Sequence, residues 1–257
     1  MVLHNRLRVR ISARGVRAVF RLPKGRLDTL QRILFVVPVL LFSVIAHEYA
    51  HGYAALKQGD TTAQELGRLT WNPLKHIDPF LTILMPLMMG FASDWRIMLG
   101  GAKPVPVNPA NYRNIKRGDI IVSLAGVTVN FLLAIACTIL IAVFGAVSTM
   151  VPFAGKSVGI VQVMLEIGVT INLVLIAFNL IPIPPLDGSH VVKYLLPPSW
   201  SNRYQAISRY GFVVLILLLY FGNGFLQWWM TPAMLLNDAL LASVTRFLDP
   251  SVALWYQ

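Results

Sequence analysis

Apolar positions fall in long uninterrupted runs, separated by short polar stretches rich in proline, glycine and asparagine. Residues 33 to about 57 form the first run, and Pro38 predicts a kink within it. Ile120 to about Val147 and Val158 to about Leu180 form two further runs long enough to cross a bilayer as helices. Ile207 to about Trp228 is the last, flanked by Tyr204, Trp228 and Trp229 as interfacial aromatics. Between the first and second runs, residues 80 to 92 are apolar but interrupted by Pro86 and Gly90; they are short for a full span, and both a re-entrant and a spanning course stay open. Gly100 to Pro109 carries three prolines, excludes a regular helix and predicts extended backbone able to pair at a sheet edge.

These patterns predict an all-α polytopic membrane protein of about four to six transmembrane helices, with a short extended or re-entrant segment near its site. Composition agrees: 56% of residues are hydrophobic and 13% charged, about half the charged share of soluble domains. Three segments follow: a basic amino-terminal arm (1–32), a membrane-embedded core (33–230) and an amphipathic carboxy-terminal tail (231–257). No connection is long enough for a separate soluble domain. The lone Cys137 lies in an apolar helix and reads as a packing residue.

The charge of +11 is concentrated in the arm, where nine basic residues face Asp28 alone and contribute +8. Such a segment suits anionic lipid headgroups. Without interleaved aromatics or a nucleic-acid fold behind it, it does not suit nucleic acid. Its apolar stretches are too short for a secretory signal.

The chemistry lies at the end of the first run, where His47-Glu48-Tyr49-Ala50-His51 spells H-E-x-x-H. On a helix the two histidines share a face one turn apart and can hold one Zn²⁺, with Glu48 beside them as general base. Ionisable residues at membrane depth are costly, which favours a functional reading. Catalytic zinc needs a third protein ligand. A third histidine is not available by spacing, since position 57 is Lys57. Glu65, Glu166 and Asp187 are the candidates, and Asp187 is favoured because it follows an apolar span in an irregular proline-rich segment. His76 and His190 are read as loop residues outside the ligand set. His190, three positions after Asp187, is a candidate outer contact.

Taken together, His47-Glu48-x-x-His51 and Asn179-x-x-Pro182-x-Pro184-x-Leu186-Asp187-Gly188 resemble the site-2 protease family of zinc intramembrane metalloproteases. Gly67-Arg68-Leu69-Thr70, Asn72-Pro73, His76-Ile77-Asp78-Pro79, Ala102 to Pro109 and Ala125-Gly126-x-x-x-Asn130 extend the resemblance over roughly residues 40 to 195. It is closest to short bacterial members without PDZ or nucleotide-sensing domains. Val127, where the family often has proline, and the long basic arm are departures. The resemblance implies one zinc per chain, held by His47, His51 and Asp187, with Glu48 as catalytic base and Asn179 engaging substrate backbone. It implies transmembrane protein substrates, a multi-pass place in the bacterial inner membrane, and room for a regulatory membrane partner. Asn130 is read as structural. The competing readings are an inactive scaffold homologue, which would have lost Glu48 or a ligand, and a zinc transporter, which would not need Glu48.

A substrate helix must unwind to be cut, and the Lys103 to Pro109 strand is a candidate to pair with it. The resemblance also implies a zinc site opening to the cytosol. That puts Lys57, Arg68, Lys75, Lys103, Arg113, Lys116, Arg117, Lys193 and Arg203 inside, as positive loops favour, and the basic arm outside, which they disfavour. The internal loops outweigh the arm, so cysteines placed at Ser12 and Ser201 are expected to react with an impermeant thiol reagent from opposite sides. Labelling from the same side overturns this topology.

Overall fold

The computed structural model describes residues 29–84, 101–150 and 155–252. The basic arm to residue 28 and residues 85–92 of the short apolar segment lie outside them. Among the described residues the α-helices are α1 (Thr29–Gln58), α2 (Thr62–Glu65), α3 (Ile115–Met150), α4 (Gly155–Asn179), α5 (Asp187–Val192), α6 (Pro198–Ala206), α7 (Gly211–Phe221) and α8 (Asn223–Val244). Short 3-10 turns and one π-helical turn, Pro79–Leu84, join them. No strand forms among the described residues. Among the described residues, four helical stretches are long and apolar enough to cross a membrane: Leu34–Gln58, Ile115–Met150, Ser157–Asn179 and Pro198–Phe221. The protein is an all-α polytopic membrane protein.

α1 keeps Pro38 inside its length and ends where Gly59 adopts a φ of 110°. Gly59 N–H donates to Leu56 O at 3.1 Å and Asp60 N–H to Ala55 O at 3.0 Å, the paired bonds of a glycine-terminated helix end. A side chain at Gly59 would be strained by this φ, and its Cβ would approach Asn111 O to 3.1 Å. α3, roughly 54 Å long at 1.5 Å per residue, is the scaffold. Its buried stripe runs through Asp119, Val122, Ser123, Gly126, Asn130, Ala134, Thr138, Ile141 and Gly145, at three- and four-residue steps. The near half of that stripe faces α1. The far half, Ala134 and Ile141, packs with Val169 and Leu173 of α4 and Val244 of α8. Gly145 is a close-approach position, because a Cβ there would lie 1.8 Å from Phe247 O.

The last expected span, Ile207 to Trp228, is broken. α7 stops at Gly222, whose φ of −88° and ψ of 24° leave the helical region while its N–H closes on Leu218 O. The fourth candidate span therefore lies earlier, at Pro198–Phe221, and Trp228 and Trp229 belong to α8, where Trp229 stacks on Phe225. α8 runs through residue 231 without a break. Its buried positions Met230, Asn237 and Val244, seven apart, form a helical stripe. Thr170 Oγ1 donates to Asn237 Oδ1 at 3.0 Å, and fully buried Gln162 donates to Ile141 O and Phe247 O and accepts from Asp249 N–H.

The segment from 101 to 108 is extended, and its anchor is Asp60, which is fully buried just past α1. Asp60 accepts from Asn108 N–H at 2.7 Å, Asn111 Nδ2 at 2.8 Å, and the hydroxyl and N–H of Thr62. Burial pushes its carboxyl up, and these four donors outweigh burial and hold it below its ordinary 3.8. A depressed carboxylate stabilises the fold fully above its ordinary value and loses that contribution as pH falls through the lowered one. Asp60→Asn puts an amide donor against Asn108 N–H and is expected to cost about 1–3 kcal/mol near neutral pH. Thermal unfolding in detergent should show that cost at pH 7 and a smaller gap between wild type and variant below about pH 4. Equal stability at pH 7 counts against the clamp.

Candidate metal centre

His47 and His51 sit on one face of α1, 6% and 9% exposed, with their rings edge to face. Their Nε2 atoms are 2.9 Å apart. Asp187 Oδ2 approaches from the first turn of α5, 3.3 Å from His47 Nε2 and 3.4 Å from His51 Nε2. Among the described residues, these are the His, Cys, Asp and Glu side chains that could jointly hold a metal ion. Glu65 is exposed and accepts from Thr61 Oγ1, and Glu166 lies within α4; neither joins the trio.

Helix α3 shapes the histidine pair. His51 Nδ1 lies 2.7 Å from Val122 O. A carbonyl only accepts, so Nδ1 carries a proton, and Nε2 is the ring nitrogen turned towards His47 and Asp187. The His47 ring lies on Gly126, where a Cβ would come within 2.5–2.6 Å of three ring atoms. In the sequence Gly126 stands out only as part of the Ala125-Gly126-x-x-x-Asn130 motif. Its contact is the catalytic-motif histidine itself.

Asp187 is delivered by the turn that follows α4. Leu186 N–H donates to Ile183 O, Tyr204 Oη to Pro182 O, and the Pro184–Pro185 peptide is cis. Gly188 lets this turn close on the end of α4, since a Cβ there would lie 2.3 Å from Leu180 O. Burial pushes the Asp187 carboxyl up, but hydrogen bonding and charge from His47 and His51 outweigh it and hold it well below the usual carboxylate range.

Zinc can be tested against this donor set. Tetrahedral zinc with bonds of about 2.0–2.1 Å places neighbouring ligand atoms roughly 3.3–3.4 Å apart. The two separations to Asp187, 3.3 and 3.4 Å, match that spacing, and the histidine pair at 2.9 Å needs to open by only about 0.4 Å to reach it. Three electron-pair donors converging in a buried site otherwise need a shared proton. The residues fit zinc.

A family comparison then decides the relationship: the model of peptidase family M50 matches residues 35–219. The chain belongs to peptidase family M50. The M50 match takes in His47, Glu48, His51 and Asp187. The chain is 40% identical over 184 residues to the Bacillus subtilis protein named "Putative zinc metalloprotease YwhC", covering 72% of this chain and 79% of that protein. It is 29% and 30% identical to proteins named "Putative zinc metalloprotease Rip2" from Mycolicibacterium smegmatis and Mycobacterium tuberculosis H37Rv. Each of those matches covers 72% of this chain and 66% of the relative. No solved structure matches.

Other expected residues fall around the trio. Glu48 Oε2 accepts from Val105 N–H at 2.8 Å. Asn179 donates its amide to Leu175 O within its own helix, at 2.9 Å. Asn130 is fully buried on α3. His76 is buried, contacts Thr70 O through Nε2 and accepts Lys103 N–H at its carbonyl. His190 Nδ1 lies 3.2 Å from Asp119 Oδ1. The sequence reading passed over Asp119. An acid in the second turn of a long apolar helix, just after Arg113, Lys116 and Arg117, was its signal.

The extended segment bears on the expected strand pairing. Three of its donors are already directed into this protein, Lys103 N–H to His76, Val105 N–H to Glu48 and Asn108 N–H to Asp60, while Pro104 and Pro106 have none. Proline at Val105 would therefore strip Glu48 of a partner, and does not report on strand pairing alone.

Gly126→Ala pushes a methyl group into the His47 ring. It is expected to weaken zinc binding by roughly 10–100-fold while helical content stays at the wild-type level. Chelator competition with circular dichroism measures both; wild-type zinc affinity would exclude this contact as a determinant of the site.

Proposed function

We propose that this M50 protein is a zinc-dependent intramembrane endopeptidase. Its substrates are transmembrane segments of other proteins, cut within or near the bilayer of a bacterial cell membrane. The observation that carries the reading is the convergence of His47, His51 and Asp187 donor atoms within 3.4 Å, with both histidines and Glu48 carried on a helix apolar enough to span a membrane.

His47, His51 and Asp187 would hold one zinc ion. Zinc, when bound, supplies Lewis-acid polarisation of the scissile carbonyl and eases deprotonation of water at the site. Glu48 follows His47 directly, so its carboxylate leaves α1 about 100° around from that ligand. Val105 N–H fixes Glu48 Oε2, which leaves Oε1 as the atom to take a proton from the attacking water. Glu48 then returns that proton to the leaving amine. Val105 is buried, and its side chain packs on Gly52 of α1, where a Cβ would come 2.8 Å from Val105 Cγ1. The donor that orients Glu48 is therefore attached to the same helix as Glu48. Asn179 is a candidate substrate contact, provided its amide exchanges Leu175 O for substrate backbone.

The retained Glu48 beside an intact donor set favours hydrolysis over a scaffold or transport role. Purified wild type is expected to cleave single-span peptides in detergent, and Glu48→Gln to lose at least about 10²-fold of that rate with zinc content unchanged. Comparable cleavage by the two proteins removes Glu48 from the mechanism. Zinc in neither protein removes the site.

A further inference from the structure

We propose that Asp119 is the positioning residue of the third ligand: it holds His190 and Lys193, and through them fixes α5, the helix that begins with Asp187, against α3. The inference rests on the zinc reading of the trio and adds to it a residue that touches none of the ligands.

α5 has six residues, too few to be stable or oriented by its own hydrogen bonds. Tertiary contacts must set where its first residue points. Asp187, His190 and Lys193 follow at steps of three, so His190 neighbours both of the others along the surface of the turn. His190 Nδ1 lies 3.2 Å from Asp119 Oδ1, and Lys193 Nζ pairs with Asp119 Oδ2. The Lys193 ammonium also lies 4.9 Å from the centre of the Tyr194 ring. The Asp119 side chain is 3% exposed, so its charge is balanced by these partners rather than by water. Along α3, Asp119 stands one turn before Val122, whose carbonyl holds His51, and two turns before Gly126, which seats His47. One face of one helix therefore addresses all three ligands, and Asp119 is its contact to the third.

The tie matters because Asp187 arrives from a different part of the chain from the histidines. The proline turn fixes the start of α5, through Gly188 and Tyr204. Asp119 fixes its far end. With both ends held, Asp187 Oδ2 stays equidistant from the two imidazoles, at 3.3 and 3.4 Å. With the far end released, α5 can pivot about the proline turn and carry the carboxylate away from them.

The test uses the full chain in detergent, with zinc affinity read by chelator competition and ligand geometry by the visible absorption of the Co²⁺-substituted protein. Asp119→Asn is expected to weaken zinc binding by roughly tenfold or more and to shift the cobalt bands. Asp60→Asn, which alters another buried carboxylate clamp, should lower stability and leave the bands in place. The pair Asp119→Asn with Lys193→Met removes both charges together, so no uncompensated charge remains buried. It should show the same weakened, shifted site even if the single variant does not fold. Wild-type affinity and bands in the foldable variants overturn the inference while leaving the zinc reading intact. A wild type that binds zinc no better than Asp187→Ala overturns both.

Discussion

The antiparallel contact between α1 and α3 is the constraint on which the site depends. It sets His47 against Gly126 and His51 against the carbonyl of Val122, so a step of four along α1 is answered by a step of four back along α3. That register does two separate things. At one level it supplies a hydrogen-bond acceptor that selects the tautomer of His51. At the next it supplies the absence of a side chain, which lets the His47 ring lie flat on backbone. A slip of one residue would rotate α3 by about 100° and remove both. The histidine pair is thus encoded twice, by its own spacing and by the spacing of the wall behind it.

The same register explains a concentration of polar groups inside an apolar protein. Ser43, one turn before His47 on α1, is buried and accepts from Asn172 Nδ2 of α4 at 3.0 Å. Asn130, one turn beyond Gly126 on α3, is fully buried as well. Each is a polar residue in a bilayer-length helix, facing protein rather than lipid, as the cost of polar groups in hydrocarbon requires. The lipid-facing positions are correspondingly apolar: Leu34, Phe131, Leu132, Ile139 and Leu140 are all exposed. These helices therefore turn their polar faces towards one another, which in water would be the solvent-facing arrangement.

How far the sequence could be read followed from which interactions are local. Helix length and hydrophobicity are local, so α1, α3 and α4 were legible to within a few residues. The H-E-x-x-H pair was legible for the same reason, since a four-residue step on a helix fixes a shared face. Asp187 needed more, because nothing in its own neighbourhood says that it meets residues 140 positions earlier; the proline-rich motif and the family resemblance supplied that. Asp119 was illegible. Its partners lie 71 and 74 positions downstream, and an acid at the start of a membrane helix has an easy alternative explanation as an interfacial charge. The break at Gly222 had a local signal, the turn-forming triplet Gly222-Asn223-Gly224, which the length of the apolar runs on either side outweighed.

The extended segment shows how a loop can be part of the chemistry without contributing a side-chain ligand. Prolines at 104 and 106 remove two of its donors, and the Lys103 N–H is spent on His76. Val105 is left to present its N–H to Glu48, and the Val105 side chain fastens that N–H over Gly52, one turn beyond the glutamate on α1. Asp60 fastens the far end of the segment to the cap of the same helix through Asn108 and Asn111. Arg68 holds its near end by donating to Lys103 O at 3.0 Å. The carboxylate assigned to proton transfer is thus oriented by a backbone amide whose own position is referred back to α1 at Gly52 and at its cap by Asp60, and to the loop beyond α2 by Arg68. A group that must take and return a proton needs a fixed acceptor direction more than it needs a strong partner. A single neutral N–H, held in place by proline-stiffened backbone, fixes that direction without the basicity loss that a cationic partner would bring.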